Sequence, residues 1–384
     1  MKVFTRLAST AGIAVALVGV LAGPALADSR TGSDAGHSRD NDHAVFVQTD
    51  NPSGNQIAAY ARAHDGTLSL ANTYVTGGNG GVLNGSVVDH LASQGSLAYD
   101  SQHKLLFAVN AGSNTVSVFS ADGANLALRQ VIDSGGTFPA SIATDGEFVY
   151  VLNALDGGNV AGFRITGNRL RALEGSVRSL GLVIPTDTTQ FTHTPGQVAF
   201  SPDGSQLIVT TKANGDRIDV FAVGHNGRLS HDPVVNSNAG TVPFAVSFDS
   251  AHRLVVAEAG TNSLATFALH RDGTVSLIDR VATGQSATCW VASANGFFFA
   301  SNAGSASVSG FDVAGNGNLN LLGSTSTDLG TVDASASPNG QFLYVQAGKN
   351  GNVDEFRVNT NGTLTAIGSV TVAGAAGGEG IVAI

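Results

Sequence analysis

The chain has 384 residues, among them 49 glycines and a single cysteine, and it carries a formal net charge of −10 at neutral pH. So acidic a chain repels polyanions, which excludes nucleic acid and anionic lipid as partners. Cys289 alone cannot close an internal disulfide, and few charges with many glycines point to an all-β protein with tight turns.

In chain order, Lys2 and Arg6 precede the apolar run "AGIAVALVGVLAG" (11–23), and "ALA" (25–27) follows as a small-residue cleavage site. This pattern predicts a signal peptide over residues 1–27, cleaved near Ala27, and a secreted, periplasmic or cell-surface protein. A retained N-terminal anchor is the alternative. The run is too short to cross a bilayer, so no membrane span is expected. "DSRTGSDAGHSRDND" (28–42) is polar without period and reads as a disordered leader, and the folded domain is expected over 43–384.

From His43 onward one phrase repeats. An aromatic closing a short alternating run recurs at Tyr60, Phe119, Phe163, Phe221, Phe267, Phe311 and Phe356. Seven or eight residues after each comes an apolar residue, often across a "DG" or "NG" hairpin signal, as at 65–66, 226–227, 272–273 and 361–362. Apolar runs such as "FVYVLN" (148–153) stand upstream, and still shorter ones such as "SIAT" (141–144) precede those. Four short strands per unit predict a seven-bladed β-propeller. The first unit lacks its innermost strand, and "EGIVAI" (379–384) fits the gap, so the C-terminus should close the first blade and remove its free edge.

The end of each second strand and the start of each innermost strand share one face. The second strands end at Gln48, Asn110, Asn153, Lys212, Glu258, Asn302 and Gln346, where amides can hydrogen-bond the following turn. Glu258 is the odd residue, a carboxylate where "FAVNAG" and "FASNAG" carry Asn110 and Asn302. Two readings follow: an acid/base in the channel mouth tuned by Lys212 and Asp333, or an ion pair with Lys212. Innermost strands open at Ser96, Ser141, Gln197, Ala245, Trp290, Asp333 and Gly380. Two insertions, 79–94 and 178–193, bring Asp89, His90 and His193 towards the same face, where long loops carry binding. Trp290 could stack on a flat ligand. Asp333 and Glu379 with Glu258 could hold a divalent cation such as calcium or magnesium, although no EF-hand-like spacing is present.

The "YVLN", "FAVN" and "NTVSVF" phrases resemble the seven-bladed lactonase propellers, a family that includes 6-phosphogluconolactonases, carboxymuconate lactonising enzymes and YVTN-type repeats. The resemblance covers the whole domain and implies the opening or closing of a lactone. It also implies a His opening one innermost strand, an Arg opening the next, and a Glu ending the second strand of that later blade. Here Gly196 and Gln197 stand in the His region and Phe244 in the Arg position, while Glu258 matches. His193 could replace the missing His, and Arg217 resembles a further family segment.

The expectation is therefore an exported, monomeric propeller that opens or forms a small lactone at the channel mouth, without a cofactor. Glu258, Lys212 and His193 would be catalytic, and Gln197, Trp290, Asp333, Asn110, Asn302, His90 and Arg217 would bind the ligand. The alternative is a non-catalytic extracellular propeller that binds a ligand, glycan or protein at the same mouth.

Overall fold

The structure, a computed structural model, describes residues 43–384; the expected signal peptide and leader lie outside the described residues. Seven antiparallel sheets follow one another along the chain, each running from an innermost to an outermost strand. The closing strand Ile381–Ala383 pairs with Ala44–Gln48 in the register Val45↔Ala383, Phe46↔Val382, Val47↔Ile381, so the C-terminus completes the first blade as expected.

The second strand of each blade, such as Leu105–Asn110 or Phe148–Asn153, is buried along its whole length. Both of its faces meet neighbouring blades, which is why it reads as an unbroken apolar run rather than an alternating one. Outermost strands such as Leu68–Val75 bury little beyond their first residue. All seven recurring aromatics lie in the third strands and are buried. In five blades the pairing of third to fourth strand shifts by one residue at that aromatic, as between Ala59 and Tyr60 or Val118 and Phe119. The bulge turns the outer strand as it leaves the core.

The hairpin glycines are fixed by packing as well as by turn geometry. Gly66 has φ +95°, and a Cβ there would lie 2.2 Å from the Phe342 ring of the seventh blade. The Gly66 carbonyl accepts from the Tyr344 hydroxyl at 2.8 Å, and Gly227 repeats this arrangement with Tyr150 at 2.6 Å. One expectation needs correction. Residues Arg178–Ser179, read as the start of the second insertion, pair with Asn159 and Val160 and continue the outer edge of the third blade. The insertion proper begins after Ser179 and ends in one helical turn, Gln190–His193.

Candidate functional site

The two insertions meet over the channel mouth. Asn84 of the first donates to Thr186 O at 2.9 Å, and its backbone N–H donates to Gln190 Oε1 at 2.9 Å. The first insertion then turns down into the channel. Asp89 starts the descent: Oδ1 accepts the N–H groups of Leu91 and Ala92, and Oδ2 that of Ser93. Ser93 Oγ donates to Ala140 O of the third blade, and the Gln94 amide exchanges two bonds with the backbone of Val291 in the sixth, at 3.0 and 2.9 Å. Residues 89–95 thus plug the channel, and any ligand site on this face lies above them.

Lys212 locks the plug to the second insertion. Its Nζ donates to Ala92 O (2.5 Å), Phe191 O (2.6 Å) and Thr194 Oγ1 (2.9 Å), and lies 5.1 Å over the Phe244 ring. Burial lowers the Lys212 pKa, and the nearby Asp89 carboxylate opposes that shift. Three acceptors around one ammonium engage all its donors. Lys212 also stands one residue beyond the aligned strand-end position, because Thr211, not Lys212, pairs with Arg217. That offset, with φ +51° at Lys212, aims its side chain at the plug and away from Glu258.

Glu258 has a different partner from the one expected. Its carboxylate, fully buried, takes a two-pronged contact from Arg280 on the outermost strand of its own blade, Nε to Oε2 at 2.5 Å and Nη2 to Oε1 at 2.8 Å. Asn238 donates to Oε1 at 2.6 Å and Ser263 to Oε2 at 2.8 Å. Register explains the exceptional letter. In the second and sixth blades the amide of Asn110 or Asn302 donates to a third-strand serine, Ser117 at 2.8 Å or Ser309 at 3.0 Å. The matching third-strand residue in the fifth blade is Ala265, and it pairs with Arg280, whereas Ser309 pairs with Ser324. Without the serine hydroxyl the guanidinium reaches over Ala265, and a carboxylate is the acceptor that suits it. These amides therefore bond side chains of the third strand and not the following turn; Asn153 likewise donates to Asn159 Oδ1 of the third strand and to Ser134 O of the connection from the preceding blade.

The remaining candidates separate. Gln197 Oε1 accepts the Val246 N–H at 2.6 Å and stitches the fourth blade to a bulge in the fifth. A Cβ on Gly196 would sit 2.5 Å from Phe244 O, so this backbone leaves no room for a side chain there. His193 ends the short helix with Nδ1 on Thr189 O, and Arg217 pairs with buried Asp219 at 3.2 Å. His90 packs its ring on Gly377. Asp333 and Glu379 are neighbouring buried carboxyls, and burial is the main cause raising both pKa values, with the Asp333 charge raising Glu379 further. Among the described residues no three His, Cys, Asp or Glu side chains form a metal-ligand set, so the trio of Glu258, Asp333 and Glu379 does not assemble.

Between plug and second insertion lies a cavity of about 290 Å3. Phe244 and Trp290, from the innermost strands of the fifth and sixth blades, meet with ring centroids 5.0 Å apart and planes tilted by 59°, and form one wall. Phe191, Val87 and Val88 form the others, and Asp89 and Cys289 border it. Trp290 Nε1 donates to Ser93 O at 2.7 Å, which fixes the indole. Burial pushes the Cys289 thiol up to about 12, leaving it a neutral wall group. Burial also raises Asp89, against its three backbone donors and Lys212. A larger hollow of about 440 Å3 lies on the opposite face among turns, where Asp249 caps Ala251 and Arg253 and pairs with the Arg253 guanidinium.

Of the sequence candidates, the structure thus brings Trp290 to the mouth cavity, sets Lys212 behind it against the plug, and places Glu258, Gln197, Asn110, Asn302 and Arg217 in the scaffold. Asp89 was legible only as a polar residue in a long loop. Phe191, Gln94 and Arg280 carried no sequence signal, since their roles depend on contacts between distant elements.

The architecture is that of a seven-bladed β-propeller with a plugged channel and a small cavity at its mouth. The chain belongs to the lactonase family of seven-bladed β-propellers, whose model matches residues 84–377. Among solved structures it is similar to a candidate 6-phosphogluconolactonase of Bacteroides fragilis, at 20% identity over 91% of this chain and 100% of that one, TM-score 0.70. It is also similar to the periplasmic gluconolactonase of Pseudomonas aeruginosa, at 16% identity over 89% of this chain and 99% of that one, TM-score 0.69. At these identities the likeness is one of fold. No curated protein matches the sequence.

Proposed function

We propose that this chain is an exported lactonase that takes a small lactone into the mouth cavity and opens its ring. The observation that carries the reading is the cavity itself, walled by Phe191, Phe244 and Trp290 with Asp89 at its border, in a propeller of the lactonase family. Export is supported by the basic residues, apolar run and "ALA" site at the N-terminus. The Pseudomonas aeruginosa relative, named a periplasmic gluconolactonase, is compatible with it.

In this reading Asp89 is the general base, because burial raises its basicity and Oδ2 accepts only one backbone N–H. Water attacks the lactone carbonyl carbon as Asp89 takes its proton. The ring C–O bond breaks, and the leaving oxygen recovers the proton to give a hydroxy acid. Lys212 fixes the plug through Ala92 O. Glu258 holds the fifth blade together and His193 the end of the second insertion.

A second reading, lactone binding without turnover, is favoured by one observation: every Lys212 donor is engaged, so it offers no spare N–H to a developing oxyanion. A pH-stat assay on γ- and δ-lactones separates the two. Hydrolysis predicts turnover that falls about 100-fold or more in Asp89→Asn. Saturable binding without turnover would leave the binding function and remove the catalytic one.

A further inference from the structure

The mouth cavity departs from what a sugar lactone requires. A polyhydroxylated ligand needs a hydrogen-bond partner for each hydroxyl it buries. The walls here are Phe191, Phe244, Trp290, Val87 and Val88, and the indole N–H is already bonded to Ser93 O. An anionic substituent such as a phosphate would face the Asp89 carboxylate. The nearby cation, Lys212, is saturated by Ala92 O, Phe191 O and Thr194 Oγ1. The polar stitching at the innermost strands (Gln197 to Val246, and Gln94 of the plug to Val291) gives way to the tilted Phe244–Trp290 pair where the cavity opens.

Apolar surface also continues outwards from the cavity. Val87 belongs to its wall and is 73% exposed. Leu329, 61% exposed, precedes Gly330, which packs against Val88. At roughly 30 Å3 per water-sized group the cavity holds about ten such groups, enough for a lactone ring with a short substituent.

We infer that the ligand of this site is an uncharged lactone bearing an alkyl or aryl substituent, whose apolar part packs between Phe244, Trp290 and Phe191. This rests on the reading of the site as a lactone site. Hydroxylated and phosphorylated lactones are discriminated against because the wall leaves their polar groups without partners, and a chain longer than the cavity extends along Val87 towards Leu329.

Trp290 is the one tryptophan of the chain, so its fluorescence reports occupancy of this wall directly. The protein is titrated at neutral pH with δ-decalactone, glucono-δ-lactone and a ten-carbon open-chain ketone. The expected result is a saturable change with δ-decalactone, at an affinity at least tenfold above that for gluconolactone and above that for the ketone. Phe191→Ser, on the insertion and outside the blades, should weaken δ-decalactone at least fivefold with little change in Tm. Gluconolactone binding as tightly as δ-decalactone would overturn the substrate class and leave the lactone reading standing. A ketone binding as tightly as the alkyl lactone would sink the lactone reading while keeping the apolar preference. No saturable change with either lactone would overturn both.

Discussion

Replacing Glu258 with glutamine tests whether the exceptional carboxylate is structural. The carboxylate receives two bonds from Arg280 and one each from Asn238, Ser263 and Thr261. Glutamine keeps one acceptor oxygen and turns the other position into an N–H2 facing donors. If the amide oxygen stays with Arg280 Nη2 and Asn238, the Arg280 Nε contact is lost and Ser263 must rotate. Losing a charge-assisted bond costs about 1.5–3 kcal/mol, and the unpaired guanidinium adds to this, so a total near 3 kcal/mol is expected. With an unfolding entropy of roughly 2.1 cal/mol/K per residue, a domain of about 340 residues should lose about 4 °C in Tm. Differential scanning calorimetry of Glu258→Gln, Arg280→Leu and the double variant gives the coupling, expected at about 2 kcal/mol. Lactone turnover and the Trp290 titration should be unchanged in all three. Turnover abolished in Glu258→Gln at native Tm would refute the structural role and return Glu258 to the reaction.

Stability should also fall as pH rises from about 4 to 8. Burial raises Asp50 from 3.8 to about 8 and also raises Asp333 and Glu379. Between the unfolded and folded pKa values the unfolded chain has released protons that the folded one retains, so ν_U − ν_N is negative and the unfolding free energy decreases with pH. Glu379→Gln should flatten the fall measured by denaturant titration at pH 5 and pH 8; an unchanged slope would remove this carboxyl cluster as its cause. Lys212→Met should strip Ala92 O and Phe191 O of their donor and destabilise by about 2–4 kcal/mol. The freed plug should shift Trp290 emission, and an unshifted spectrum at lowered Tm would mean that the plug is held without Lys212. Gly66→Ala should destabilise by more than about 2 kcal/mol, because the new methyl meets Phe342 and φ is +95°. A Tm within a degree of native would show that the seventh blade gives way freely.

The architecture was legible because a propeller writes its period into local pattern. The aromatic at the third strand, the hairpin glycine and the doubly buried second strand each answer to a neighbour at fixed spacing, seven times over. Ring closure by "EGIVAI" followed from counting. The site was less legible for the reverse reason. Glu258 was conspicuous by comparison with Asn110 and Asn302, but its partner lies on an outer strand 22 residues further on, and only the pairing of Ala265 with Arg280 reveals it. Lys212 aligned with Glu258 by strand end, yet a one-residue offset and a left-handed backbone turned it towards the plug.

The sequence by itself determined the fold, the face that carries the insertions and the loss of two of the three residues its family resemblance implies. Those are properties of repetition and of residue identity. Tertiary structure alone decided that the channel is plugged at Ser93 and Gln94, that Asp89 and not Glu258 borders the cavity, and that the walls are apolar. Each of these depends on side chains from different blades and loops meeting in one small volume. Such meetings are set by packing and register across the ring, which no local pattern records.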